Sequence, residues 1–508
     1  MSVDWTRRHV LEAAGAVAAS GYLAGQIARP AAAQSDSDWP QPGYDAGNRG
    51  YNPDVSELGD EPERVWTYDP DDAVSVPAVV DGVVYVTAGN RLVALEATTG
   101  LGLWEFEAEG ELTPPAVSDG LVFVGSADGA VVAVGTESER EEWRYSTERG
   151  VFLPPTVESG TVYASDARAI HSIDARTGDE RWTVERSSDT ALAARAGMVF
   201  APSGESIVAI LPTERWERFP LSGDLEPFAE FDGRSAVEIP LRTWYQYGTP
   251  AVDEERMFLG SLGMDALPLP GASGEGWRFE REVAVAASPA VGQEGVYVAC
   301  GTGIEDAPDT HTANAGTVYA VDPDDGGVGW EVDLGSPINN APIATESVVC
   351  ATAENGRAYA LDRETGNERW TVEVGNGIGS PVAAGDQLYV ASEETGLVVF
   401  SGTETDTDGN DGPSESEGED TGGSQEQGSN ESGDDTASSE GNGGGGGEEG
   451  TESGVGGDGA EGGNDAGGPE EPPASDDGSG PGFGVPGALA ALGGAGYLLG
   501  RSADEKRE

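Results

Sequence analysis

The sequence predicts an all-β chain whose central part is a β-propeller of eight four-stranded blades, the ring closed by its N- and C-terminal strands. Three observations carry this. Tryptophans recur at intervals of 38, 39 and 39 residues from Trp66 through Trp104 and Trp143 to Trp182, and of 40 from Trp330 to Trp370. A two-strand unit rich in Val and Tyr recurs out of phase with them. No helical period runs between the two signals.

Taken in chain order, residues 1–33 read as an export signal. Arg7-Arg8 precede a weakly apolar run from Ala13 to Ala28 and the small residues Ala31-Ala32-Ala33, and the arginine pair resembles a twin-arginine signal. Cleavage is expected after Ala33, with no cysteine following it to take a lipid.

Residues 38–401 hold the repeat. Its hairpin reads Pro77-Ala78-Val79-Val80-Asp81-Gly82-Val83-Val84-Tyr85-Val86 and returns at Pro115, Pro155, Pro250, Pro289, Pro342 and Pro381, with a degenerate copy at 193–200. Each copy is a strand, a tight turn and a second strand. A third strand such as Arg91–Leu95 or Arg357–Leu361 follows. Then comes a turn of the Asp174-Ala175-Arg176-Thr177-Gly178 type, whose glycine stands four residues before the tryptophan of the fourth strand. Eight hairpins, and eight tryptophan marks if the poorly matching Trp216 is included, give eight blades. The competing count is seven, with 183–276 as one swollen blade. The last copy lacks a tryptophan-bearing fourth strand after Phe400, and the segment from Trp39 to Pro53 is expected to complete it.

The Asp-x-x-Thr-Gly-x-x-x-Trp end and the Pro-x-Val-x-x-Gly-x-Val-Tyr-Val hairpin resemble the PQQ-type propeller repeat of quinoprotein dehydrogenases and BamB-like scaffolds. That resemblance implies that Trp66, Trp104, Trp143, Trp182, Trp277, Trp330 and Trp370 pack between blades. It also raises the question of a quinone site. Dehydrogenases of this superfamily hold PQQ and Ca²⁺ in the funnel, beside an Asp base and often a disulfide between adjacent cysteines. No adjacent pair exists here: Cys300 and Cys350 stand at different offsets of consecutive hairpins. They are expected to be two small buried hydrophobes, with a bridge between them the less favoured alternative.

Two insertions attract attention. Gly301 to Gly316 carries Glu305, Asp306, Asp309, His311 and Asn314, oxygen donors of the kind Ca²⁺ uses, but at a spacing better explained by a solvated acidic tip. Residues 217–248 carry Phe219, Phe228, Phe231, Trp244, Tyr245 and Tyr247, read equally as a partner surface or as packing of an elongated blade. His171 and His311 are too far apart in the repeat to form a catalytic pair.

From 402 to 480 the chain is Gly, Ser, Thr, Asp, Glu and Asn without Lys or Arg, a composition that builds no core and serves as an acidic tether. It holds the sole Asn-x-Ser sequon, at Asn430. Residues 481–508 begin Pro-Gly-Phe, continue apolar to Leu499 and end with Arg501, Lys506 and Arg507. The pattern resembles an archaeal sorting signal; removed with lipid attachment or kept as a membrane helix, it places the protein on the outer face of the membrane.

Across the whole chain 27 Lys+Arg oppose 92 Asp+Glu, a formal charge of −65. This excludes a nucleic-acid partner, which needs clustered basic charge. With Lys506 as the one lysine, the balance resembles that of haloarchaeal proteins. No catalytic, cofactor-binding or metal-ligating residue is assigned. The expected function is a non-catalytic, surface-anchored, monomeric module that binds or scaffolds an unknown envelope protein or glycan. The competing reading is a PQQ-dependent alcohol or sugar dehydrogenase, a quinoprotein.

Overall fold

The computed structural model describes residues 37–402, apart from 56–57, 61, 217–226, 241–247, 270–271, 273–274, 286 and 302–314. The export signal, the tether with its sequon and the 481–508 segment therefore lie outside the described residues. Among the described residues no helix is long and apolar enough to cross a membrane.

Eight sheets follow one another along the chain. Blade 1 sets the pattern, with an inner strand Ala78–Val80, then Val83–Ala88, Arg91–Glu96 and the outer strand Gly102–Glu107. The inner hairpin forms because Asp81 (φ 52°) and Gly82 (φ 71°) take the left-handed conformations that a tight two-residue reversal needs. Blades 2, 3, 6 and 7 repeat this over 116–146, 156–184, 290–333 and 343–373. In blade 5 the second and third strands run together as one 13-residue strand, Arg256–Pro268. Blade 4 is the elongated one. Its chain leaves the third strand, Ser206–Pro212, through the one-turn helix Thr213–Trp216 and returns as an extra edge strand, Ala229–Phe231, before the outer strand Arg234–Pro240. The count is eight, and the stretch 183–276 divides between blades 4 and 5. Trp216 sits in that helix and marks no outer strand.

Blade 8 closes the ring from both chain ends. Val382–Ala384, Gln387–Ser392 and Gly396–Gly402 are joined by Pro62–Tyr68 as outer strand, antiparallel to Gly396–Gly402. This corrects the expectation for Trp39 to Pro53. The closing piece is the next segment along, whose Trp66 supplies the missing mark, while Trp39 to Pro53, broken by Pro40, Pro42, Gly43, Gly47 and Gly50, gives only the two-residue strand Tyr51–Asn52, which pairs in parallel with the inner strand of blade 7.

The indoles join neighbouring blades as the resemblance implied. Trp143 of blade 2 donates from Nε1 to the Ala175 carbonyl of blade 3 at 2.9 Å. The blade 3 turn can approach because Gly178 has no Cβ; an added one would stand 2.8 Å from the ring. Trp66, Trp277 and Trp330 dock the same way on Ala97, Pro323 and Arg363. In every regular outer strand the residue just before the tryptophan is a β-bulge: Leu103, Glu142, Arg181, Gly329, Arg369 and Val65 have no partner in the ladder. A bulge re-aims the extra side chain out of the sheet.

Candidate functional site

The axis of the ring is the natural place for a site, and here the chain fills it with its own N-terminal segment. Eight inner strands point their second residue inward, and each finds a partner between Trp39 and Asn52. Trp39 exchanges two main-chain hydrogen bonds with Val79 of blade 1. The Val117 N–H donates to the Pro40 carbonyl at 2.7 Å. Gln41 imitates a strand with its side chain, its Oε1 accepting from Val157 N–H at 2.9 Å and its Nε2 donating to the Val157 carbonyl at 3.2 Å. The N–H groups of Ala194, Val252, Val291 and Ala344 donate to the carbonyls of Ala46, Gly47, Arg49 and Gly50 at 2.6–2.8 Å. Asn52, fully buried, completes the circuit by donating to the Ala383 carbonyl of blade 8 at 3.1 Å. Buried N–H and C=O groups must be paired. An irregular Pro/Gly segment can do this for eight converging strands because its carbonyls need not follow one strand direction.

What remains on the axis is a cavity of about 70 Å³. Its floor is the segment itself (Trp39, Pro42, Gly43, Asn48, Gly50), and its wall is the ring of residues that precede the inner strands, among them Pro114, Pro154, Thr249, Ser288 and Ser380. Ligand pockets are about 300–1,000 Å³, several times this volume.

Away from the axis, blade 3 holds a buried polar cluster that sequence spacing gave no reason to assemble. Asp166 Oδ1 accepts from the Arg168 and Ala169 N–H groups at 2.7 Å, and its Oδ2 lies 3.4 Å from His171 Nε2. His171 Nδ1 is 3.1 Å from the hydroxyl of Tyr145, which reaches over from blade 2 and donates to Glu180 at 2.6 Å. Burial first, and then that carboxylate, push Tyr145 up to about 12. The group ties two blades together. His311 and the four other donors proposed for Ca²⁺ lie outside the described residues, as do Phe219, Trp244, Tyr245 and Tyr247. Of the remaining aromatics in that insertion, Phe231 packs on Trp182 at 5.7 Å and Phe228 lies beneath the Arg186 guanidinium at 4.3 Å. These two serve the elongated blade. Among the described residues no group of His, Cys, Asp or Glu is placed to hold a metal. Cys300 and Cys350 are both free and buried, and burial pushes each thiol up to about 12.

A family model described as outer membrane protein assembly factor BamB matches residues 52–114, 109–225 and 270–412. The chain belongs to this family. The match to the BamB family takes in most of the ring, the gap at 226–269 falling on the end of blade 4 and the first strands of blade 5. No curated protein matches the chain. Among solved structures it is similar to a quinohemoprotein alcohol dehydrogenase from Comamonas testosteroni, at 16% identity over 73% of this chain and 82% of that one, with a TM-score of 0.56. It is similar also to BamB from Moraxella catarrhalis, at 13% identity over 67% of this chain and 100% of that one, with a TM-score of 0.50. A computationally designed protein, Ika8, matches at 13% identity over 67% of this chain and 99% of that one, with a TM-score of 0.52. Such distant likenesses establish a shared fold, which hosts both an enzyme and an assembly factor.

Proposed function

We propose that this BamB-family chain is an exported, surface-anchored propeller that binds or scaffolds a component of the cell envelope without catalysis. One observation carries the reading. The axis, where the resemblance would put a quinone and its calcium ion, is occupied by Trp39 to Asn52, bonded to all eight blades. The residues there do not fit that cofactor: the cavity is about 70 Å³, its wall is mostly Pro and Ala, and the two thiols lie apart in different core clusters.

The mechanism is presentation. A ring lashed through its centre holds its turns and loops in fixed relative positions, and loops on a rigid scaffold are where binding surfaces are built. The 402–480 tether, about 50 Å in root-mean-square span for a flexible chain of that length and longer through charge repulsion, sets the distance from an anchor at 481–508. The partner is an envelope protein or glycan, and the chain acts as a monomer.

Incubation with PQQ, Ca²⁺ and an alcohol or aldose tests the non-catalytic reading: no reduction of an electron-accepting dye is expected, and reduction would establish the quinoprotein alternative. Export is tested by the Arg7→Lys, Arg8→Lys double variant, which should accumulate inside the cell.

A further inference from the structure

The repeat contains its own control experiment. In blade 3 the bulged residue before the tryptophan is Arg181, and its guanidinium bonds Asp174 Oδ2 at 2.9 Å, the Gly160 carbonyl at 3.0 Å and Thr161 Oγ1. In blade 7 the same position is Arg369, whose guanidinium bonds Asp362 Oδ2 at 2.7 Å. In both blades Oδ1 of the aspartate is already taken by a turn N–H, so Oδ2 is the lone-pair site that faces the arginine. Trp182 and Trp370, next in sequence to these arginines, are buried to 6% exposure.

Blade 6 keeps the receiver and lacks the arginine. Asp322 stands eight residues before Trp330, as Asp174 and Asp362 stand before their tryptophans, and its Oδ1 takes the Asp324 N–H at 2.8 Å. Its Oδ2 has no donor among the described residues. The bulge residue is Gly329. By ladder register Glu294 occupies the place of Gly160 and Gly295 that of Thr161, but blade 3 turns through positive φ at Ser159 and Gly160 and blade 6 does not, so Asp322 is the part of the receiver that the two blades share. With Gly295, Gly327 and Gly329 contributing no side chains, a groove of about 610 Å³ opens there, and Trp330 is half-exposed. Tyr297 and Trp330 line it, Glu294, Glu364 and Asp325 stand around it, and the one cation present, Arg363, is held by Glu294 at 3.2 Å. The volume is that of a ligand site.

We propose that this groove is a receptor for an arginine side chain presented by a partner protein, with the guanidinium seated on Asp322 Oδ2 as blade 3 seats its own Arg181 on Asp174 Oδ2. A planar guanidinium can bond the carboxylate with more than one N–H while lying against an aromatic ring, and a lysine ammonium cannot match that set. The surrounding carboxylates add attraction at longer range. The proposal rests on the binding-module reading, since it names the chemistry of the partner.

The test is titration of the full chain with acetyl-Gly-Arg-Gly-amide and its lysine counterpart at about 1 M salt, where screening to about 3 Å removes diffuse attraction to the acidic surface. Saturable one-site binding is expected, about tenfold tighter for the arginine peptide. Gly329→Arg, which supplies the missing side chain in cis, should abolish binding with the melting temperature held or raised, and Asp322→Asn should weaken it about tenfold. Equal affinity for the two peptides, unchanged binding by Gly329→Arg, or no saturable binding by the native chain would each overturn the proposal. Cross-linking on intact cells separates the two readings. A defined partner captured equally by native and Gly329→Arg protein keeps the module and removes the groove. Arginine-selective binding that Gly329→Arg abolishes, with no partner captured by the native chain, keeps the groove and removes the module.

Discussion

Trp143 Nε1 lies 2.9 Å from the carbonyl oxygen of Ala175, and this one hydrogen bond defines how blade 2 meets blade 3. The same bond forms at three other seams, always to the second residue of the next blade's Asp-x-x-Thr-Gly-type turn. Where that turn is altered the bond is missing. Trp104 faces a turn in which Glu139, at φ 58°, replaces the glycine, and its buried Nε1 has no acceptor. Trp370 faces the blade in which the two chain ends meet, and its Nε1 is likewise unpaired.

The seam bond can therefore be weighed against an internal reference. Trp143→Phe should cost about 1 kcal/mol more than Trp104→Phe, since both lose similar packing and only the first leaves a carbonyl unpaired. Gly178→Ala should exceed both. It combines a φ of 75° with a Cβ 2.8 Å from the Trp143 ring, whereas Gly160→Ala, at φ 71° with nothing within 4 Å, carries only the backbone strain of about 1–2 kcal/mol. Thermal unfolding of the four variants checks the order; equal losses for the two glycine variants would remove the packing argument.

The axial segment makes a second prediction. Asn52 side-chain Nδ2 reaches the carbonyls of Ser37, Asp38 and Ala383. Asn52→Ala strands these acceptors in the core and should cost about 1–3 kcal/mol. Gly47→Ala places a Cβ 2.3 Å from the Val252 carbonyl oxygen and should loosen the segment from blade 5. Limited proteolysis should then cut near 40–50, where the native chain resists.

These contacts also mark the limit of what was legible beforehand. The blades were legible because a hairpin and an indole recur with their side-chain pattern intact. The axial segment was not, because it binds through main-chain carbonyls of a non-repeating Pro/Gly stretch, and carbonyls leave no residue-type signature; hence the exchange of Trp39 to Pro53 for Pro62–Tyr68 as the closing strand. Trp216 misled because an insertion carried a tryptophan near the expected interval. His171 meets Asp166 within blade 3 and Tyr145 from blade 2, a proximity that the packing of neighbouring blades creates. The glycine at 329 also passed without notice, because its meaning depends on seeing where Arg181 points.

Acid titration isolates the arginine clips of blades 3 and 7. The Arg181 and Arg369 side chains hold Asp174 and Asp362 down to about 2, with turn N–H and Thr hydroxyl donors assisting. A carboxyl held below its usual value near 3.8 stabilises the folded chain above about pH 4, and that contribution disappears as pH falls toward 2. Asp174→Asn and Asp362→Asn should thus melt below the native protein at pH 7 and converge on it between pH 4 and 2. A gap that persists at pH 2 would assign the loss to turn geometry.

Salt should act on the whole chain in the opposite sense from its usual effect on ion pairs. Each of the 27 basic residues can neutralise one of the 92 carboxylates, leaving at least 65 that repel one another. Surface pairs such as Arg168 with Glu148 and Glu185 contribute about 0–1 kcal/mol each and weaken with salt. The unpaired carboxylates are more numerous, and their repulsion opposes the compact state over distances that shrink from about 10 Å at 0.1 M to about 3 Å at 1 M. Repulsion therefore decides the sign, and the melting temperature should rise with KCl across that range. A fall would mean that the arginine pairs dominate, and the gain should be smaller near pH 4, where protonation has already removed much of the charge.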